Sequence, residues 1–253
     1  MKYIRRAIVI MLAAVFVAAA AIGVSVIFAV RNINVAVISY SSSAGESQNF
    51  SDSVSKVKTQ LSSLTGSNLL GVDEDDISSL IPEDGYARFV SAEKVYPCTV
   101  NVTVEERVEA FAVLSEDGSY LVYDYNGEYI ATKTENINNL DSCPNVLVSA
   151  DGFMAEAVEI ASLFKEEFSA LRSVVETLNV VKSESGVIAE FGLYCGTTLR
   201  LVGLGEYDTQ KLSALHAAFN SLSDCDKAEG TLSCYTNSNG QAYVFMPDGS
   251  LYR

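Results

Sequence analysis

Residues 7–30, AIVIMLAAVFVAAAAIGVSVIFAV, constrain this chain more than any other stretch. These 24 residues carry no charge and a single hydroxyl, Ser25. As a helix rising about 1.5 Å per residue they would run roughly 36 Å, enough to cross a hydrocarbon core of about 30 Å with some tilt. Lys2, Arg5 and Arg6 precede the run with no acid among them, and only Arg31 follows it closely. The positive-inside rule then puts residues 1–6 in the cytoplasm and the body outside the cell membrane, on a single-pass anchor. A cleaved signal peptide needs an apolar core of about 7–15 residues before a small-residue cleavage site. Residues 18–21 supply such a site, but the apolar run continues through Ile22, Val24, Val26, Ile27 and Phe28. The expected feature is therefore an uncleaved transmembrane helix.

Charge narrows the partners. The chain holds 17 Lys+Arg against 32 Asp+Glu, and Lys2, Arg5, Arg6 and Arg31 all flank the anchor. The body is left with a strong negative excess, which phosphate backbones and anionic headgroups would repel. Nucleic acid is excluded as an expected partner. The five cysteines (98, 143, 195, 225 and 234) are an odd number and show no CxxC or Cys/His zinc spacing. A Cys225–Cys234 bridge and buried free thiols both remain open.

Periodicity sketches the body. Residues 33–38 alternate as a strand, and residues 39–53 read as a polar loop. A helix follows from Ser53, with Val54, Val57, Leu61 and Leu64 on one face and Gly66 ending it. Asp73 or Asp75 is expected to cap a short helix carrying Ile77, Leu80 and Ile81 before Pro82. Residues 88–96 and 99–107 read as an antiparallel pair joined by a turn at Pro97. In its second strand Val100, Val102 and Val104 share one face. Two helices on one face of this sheet make an α+β unit.

A β-meander follows at 110–114, 120–124 and 129–132, with Asn126-Gly127 as the hairpin signal. A short strand is expected within 141–149. A helix over 153–168 is expected to pack through Met154, Val158, Ala161, Phe164 and Phe168. Strands are expected at 177–182, 187–193 and 197–204. A helix over 209–222, capped by Asp208, would present Leu212, Leu215, Phe219 and Leu222. Strands at 230–235 and 241–246 close the pattern. The fold class is α+β: a transmembrane helix, a small α+β domain over 31–107, a mostly antiparallel β-domain with flanking helices over 108–246, and a tail over 247–253.

The stretches GSNLLGVDEDDI, KVYPCTVNVTVEERVEAFAVL and YLVYDYNGEYI, in this order after one membrane helix, resemble the bacterial cell-division family FtsQ/DivIB. That family's POTRA domain carries a G-x-N-L-L/I-x-V/L-D element, similar here to Gly66, Asn68, Leu69, Leu70 and Asp73. Its P-x-T strand ending in Glu-Arg is similar to Pro97, Thr99, Glu106, Arg107 and Ala110. The hairpin that opens its β-domain is similar to Asp124 and Gly127. The resemblance implies a non-enzymatic divisome scaffold without a cofactor. It would bind FtsB/DivIC-like and FtsL-like coiled-coil partners, act near peptidoglycan synthase components and sit at the septum. It also implies that the last strand is the docking site, through Gln241, Tyr243, Val244 and Phe245. An exposed sheet edge would accept a partner strand there, with Tyr243 and Phe245 as anchors on one face.

Other motifs read as structural. The glycines of residues 66–73 lack Gly-Lys-Ser/Thr and suit a helix stop and a connecting turn rather than a phosphate loop. Glu106 and Arg107 are read as an ion pair orienting a strand end where the domains join. His216 is the only histidine, which rules out a His-based metal site and favours a surface or packed role. A membrane-anchored cell-wall hydrolase and a POTRA-bearing module for export or spore-envelope assembly stand as alternatives.

Overall fold

The computed structural model describes residues 2–40, 48–83, 85–136, 144–150, 152–184, 186–223, 226–237 and 239–252. Cys143 and Cys225 lie outside them. The chain divides into two compact units, Met1–Arg107 and Val108–Arg253.

Unit 1 begins with helix α1, Lys2–Ile27. Its window Ile10–Ile27 has a mean hydropathy of 2.7, long and apolar enough to span a membrane. The helix stops three residues short of the expected Val30. Val30 is buried instead in the core of unit 1. The body of the unit is strand β1 (Asn32–Ile38), helix α2 (Gln48–Leu61), the short helix α3 (Glu74–Ser78), β2 (Ala87–Val95) and β3 (Thr99–Glu106). Helix α2 starts earlier than the sequence suggests. The polarity of residues 48–53 predicts a loop, yet Phe50 among them is fully buried. One aromatic side chain, whose burial is worth about 1.5–3 kcal/mol, outweighs that polarity.

Val54, Val57, Leu61 and Leu64 face the core as their spacing requires. Asp73 caps α3 by a reciprocal box: its side chain accepts from Asp76 N at 2.8 Å, and Asp76 Oδ2 accepts from Asp73 N at 3.0 Å. The sheet runs β1-β3-β2, and its centre is β3, with Val100, Val102 and Val104 fully buried. The pair β2–β3 is antiparallel as expected. β1 adds on the far side of β3 in parallel, which local pattern does not specify.

Among the described residues, unit 2 is a nine-stranded, mostly antiparallel sheet with two α-helices. Its strands are β4 (Glu109–Leu114), β5 (Tyr120–Asp124), β6 (Tyr129–Lys133), β7 (Val146–Ser149), β8 (Val175–Ser183), β9 (Gly186–Leu193), β10 (Thr197–Val202), β11 (Gly230–Thr236) and β12 (Ala242–Phe245). They lie in the order β12-β11-β10-β9-β8-β7-β4-β5-β6. Three pairings are parallel: β4 with β7, β7 with β8, and β10 with β11. The stretches between β7 and β8 and between β10 and β11 contain α4 (Met154–Phe168) and α5 (Asp208–Ser221), as parallel connections require.

Helix α4 presents Ala157, Ile160, Ala161 and Phe164 to the core. The expected stripe through Met154, Val158 and Phe168 is rotated, leaving those three only partly buried. Phe164 anchors the helix, stacking on Phe168 at 4.1 Å and on Phe191 of β9 at 4.5 Å between ring centroids. Asp208 does not cap α5. It lies inside the first turn, where its Oδ2 accepts from Gly205 N at 3.0 Å. Lys211, one turn on, is buried and donates to Gly203 O and to Asp208 Oδ1. The expected face Leu212, Leu215, Phe219, Leu222 is buried only at its first two members, with Ala218 and the stem of Lys211 completing it. A lysine at that place reads as solvent-facing in sequence. It is tolerated because its charge meets a carboxylate and a carbonyl.

Candidate functional site

The strand expected to take up a partner is β12, and it lies at one margin of the sheet. β11 and β12 form a hairpin with register Ser233↔Phe245, Cys234↔Val244, Tyr235↔Tyr243 and Thr236↔Ala242. Its turn is built by Asn237, whose Oδ1 accepts from Asn239 N at 3.0 Å and Gln241 N at 2.9 Å. Asn237 N donates to Gln241 O at 3.1 Å. Gly240 closes the turn at φ +75°, and a Cβ there would stand 2.5 Å from the ring of Tyr207. The turn at Asp124 repeats this chemistry. Asp124 Oδ1 accepts from Asn126 N at 2.9 Å and Glu128 N at 3.0 Å, with Gly127 at φ +76°. In both turns the glycine of the Asn-Gly pair is left-handed and the asparagine is not, so the pair does not form the two-residue hairpin whose central residues both need positive φ.

Alternation sorts the side chains of the hairpin. Leu232, Cys234 and Val244 point into the core. Tyr235, Tyr243 and Phe245 line the opposite face, where Tyr235 and Phe245 meet edge-to-face at 5.7 Å. Tyr243 Oη donates to Gln241 Oε1 at 3.0 Å and accepts from Asn237 Nδ2 at 3.2 Å. Of the four expected partner residues, Gln241 and Phe245 are exposed and Tyr243 is half-buried. The side chain of Val244 is consumed by the core. Burial pushes the Cys234 thiol up to about 11. Cys234 is a free thiol, as are Cys98 and Cys195.

The margin of β12 is partly covered. Tyr252 N donates to Val244 O at 2.9 Å, Met246 N donates to Ser250 O at 2.8 Å, and Phe245 bridges Leu251 antiparallel. Pro247 sits against Gly230, where a Cβ would approach it to 2.7 Å. Residues 247–252 therefore fold back along the C-terminal half of the strand. Because Val244 O faces this segment, Ala242, two residues earlier, turns its backbone the same way, away from β11. Tyr243 and Phe245 turn theirs toward β11. The outward-facing donors are thus those of Ala242 and Val244, not that of Tyr243.

The motif residues of unit 1 have definite tasks. Gly66, at φ +88°, donates its N–H to Val30 O at 2.9 Å. Asn68 Oδ1 accepts from Leu70 N at 3.1 Å, and Asn68 bridges Ala29. Pro97 follows a cis peptide bond. Glu106 is buried and its Oε2 accepts from Ser39 Oγ at 2.6 Å and Tyr40 N at 3.2 Å. Arg107 is buried and donates to Glu83 O at 2.8 Å and Gly85 O at 3.2 Å. Each charge thereby fastens a loop to the end of β3.

A concavity of about 530 Å³ lies between α4, β9 and the β10–α5 loop, and Glu156, Glu159, Glu206 and Asp208 contribute carboxylates to its wall. Asp208 is already engaged by Lys211 and by Gly205 N. Among the described residues no group of three or more His, Cys, Asp or Glu side chains is placed to hold a metal ion. His216 packs its ring on Phe168 at 4.3 Å and pairs its Nδ1 with Glu167 at 3.1 Å, a helix-to-helix contact. Sequence reasoning missed Lys211 and Glu109. Glu109 is buried and bonded to Lys133 and to Asn145 Nδ2 at 2.8 Å, and its acidic character gave no sign of that burial. No protein-family model and no curated protein matches this chain.

Proposed function

We propose that this chain is a non-enzymatic scaffold of the bacterial division machinery, resembling FtsQ/DivIB. In this reading it is held by one membrane span with its N-terminus cytoplasmic and its body outside. It takes up FtsB/DivIC-like and FtsL-like coiled-coil partners at the septum, near peptidoglycan synthase components, and so supports septum formation. Unit 1 is the POTRA-like domain and unit 2 the docking domain. The mechanism is strand addition: a partner segment extends the nine-stranded sheet beyond β12. Backbone bonds supply the affinity, and Tyr243 and Phe245 supply contact area on the outer face.

The observation that supports this reading most is the place of β12. It is marginal in the sheet, short, and backed by a fully packed core at Cys234 and Val244. Such a strand offers a rigid template at its outward-facing N–H and C=O groups.

The test is co-purification of the full chain with coiled-coil partner candidates, using Ala242→Pro. Ala242 opens β12, where proline is tolerated, and its N–H faces away from β11. The substitution removes an edge donor while keeping the β11–β12 ladder, and capture of the partner is expected to fall. Tyr243→Pro would instead break the ladder itself. If folded Ala242→Pro protein captures the partner as well as the unsubstituted chain, strand addition at β12 is wrong.

A further inference from the structure

The place where α1 leaves its helix is clamped from two sides. Phe28 N still donates to Val24 O at 3.0 Å, after which the chain turns extended. On one side the loop at 66–71 grips it. Val30 N donates to Ser67 O at 2.9 Å, Gly66 N to Val30 O at 2.9 Å and Leu69 N to Phe28 O at 2.7 Å, with Ala29 bridging Asn68. On the other side is the β2–β3 turn. Arg31 N and Asn32 N donate to Cys98 O at 2.9 and 3.2 Å, and the Phe28 ring meets Tyr96 edge-on at 6.0 Å. Backbone bonds therefore fix both loops level with the end of the helix, with no linker between.

These two loops and the end of β2 carry large apolar side chains facing outward: Leu70 is 49% exposed, Val95 41% and Tyr96 58%. Among the described residues, the other large apolar side chains exposed in the body of this unit, Ile38, Tyr40 and Val90, lie toward the opposite end of the sheet, near Val104 to Glu106. Helix α1 between Ile10 and Ile27 has the length and hydropathy of a membrane span. Where a span ends, the headgroup layer begins, and tyrosine and leucine are the side chains that settle there.

We propose that Leu70, Val95 and Tyr96 form a second membrane contact, a collar around the exit of α1 that inserts into the headgroup–acyl boundary of a phospholipid bilayer. The inference rests on α1 as a span and is independent of any division partner. The chain carries a net charge of −15, so attraction to anionic lipid does not drive this contact. Insertion is apolar and proceeds equally in zwitterionic phosphatidylcholine. The collar would fix the tilt of unit 1 on the membrane, because a helix end and two flanking side-chain groups define a plane where a helix alone defines an axis.

The chain contains no tryptophan, so single substitutions report without background. Full-length Leu70→Trp, Tyr96→Trp, Val90→Trp and Val15→Trp chains are placed in phosphatidylcholine nanodiscs, with and without lipid brominated on its upper acyl carbons. Val90 is the matched control. It is 42% exposed on the same strand as Val95, about 17 Å farther along. Val15 reports the span. The expected result is blue-shifted emission and loss of intensity with brominated lipid at 70, 96 and 15, and water-like emission without quenching at 90. Water-like emission at either 70 or 96 while Val15→Trp is quenched overturns the collar and leaves the span intact. Equal quenching at 90 also overturns it, since the whole unit would then merely adhere. Absence of quenching at 15 overturns the span and the collar with it.

Discussion

Stopping the chain at Gly249 removes the segment that lies on the margin of β12, and the structure sets the size of the effect. Two backbone hydrogen bonds are lost, Tyr252 N to Val244 O and Met246 N to Ser250 O. At about 1 kcal/mol net each, they represent roughly 2 kcal/mol of masking that an incoming strand must displace. Leu251 is 41% exposed and adds little, whereas Tyr252 is partly buried against the core of unit 2, so that figure is a minimum. Pro247 stays, so the packing on Gly230 that holds the start of β11 is kept. If a partner strand pairs with β12, the truncated chain should bind it at least about 30-fold more tightly, the factor that corresponds to roughly 2 kcal/mol. The measurement is a binding titration of an FtsB/DivIC-like ectodomain against both chains in nanodiscs, with hydrogen exchange on β11 and β12 as the control for folding. Unchanged or weaker binding, with the β12 amides protected as before, would refute docking along this margin.

Other perturbations address what holds the site in place. Lys211→Met should destabilise unit 2 by about 2–4 kcal/mol, because it leaves Asp208 and Gly203 O without their buried donor. The double variant with Asp208→Asn should recover part of the loss, as a urea melt of each variant would show. Phe164→Ala should cost about 3–5 kcal/mol by opening a cavity against Phe191 and Phe168, read in the same melts. The buried Cys234 thiol, raised from 9.0 to about 11, holds its proton in the folded chain at a pH where the unfolded chain has lost it. Its contribution to stability is therefore complete below about pH 9 and is lost as pH rises toward about 11. In Cys234→Ala protein the stability should fall less over that window. Exposed Cys195 should react with iodoacetamide in the native state while Cys234 does not.

Much of this fold was readable because it depends on local rules. The valine alternation of β3 needs only one buried face, and all three valines are buried. A cap at Asp73 or Asp75 was readable because a short side chain before a helix can reach the N–H three residues on, and the structure chose Asp73. The misreadings share a cause. The polar start of α2, the rotated stripe of α4 and the buried Lys211 were each decided by a partner distant in sequence: the unit 1 core around Phe50, Phe191 against Phe164, and the carbonyl of Gly203. The direction of β1 and β7 is of the same kind, since strand patterning is equal for parallel and antiparallel neighbours.

For the proposed docking strand the division is sharp. Sequence alone determined that a strand lies within residues 241–246, with Tyr243 and Phe245 on one face and Val244 on the other, because side chains alternate with a period of two; the structure sets it at Ala242–Phe245. Only the tertiary structure decided that this strand is marginal, that Val244 belongs to the core, and that Tyr252 and Ser250 bond along its edge. Which backbone groups face a partner depends on which neighbour takes the other side. That choice is made by hydrogen bonds between residues whose local sequence carries no record of one another.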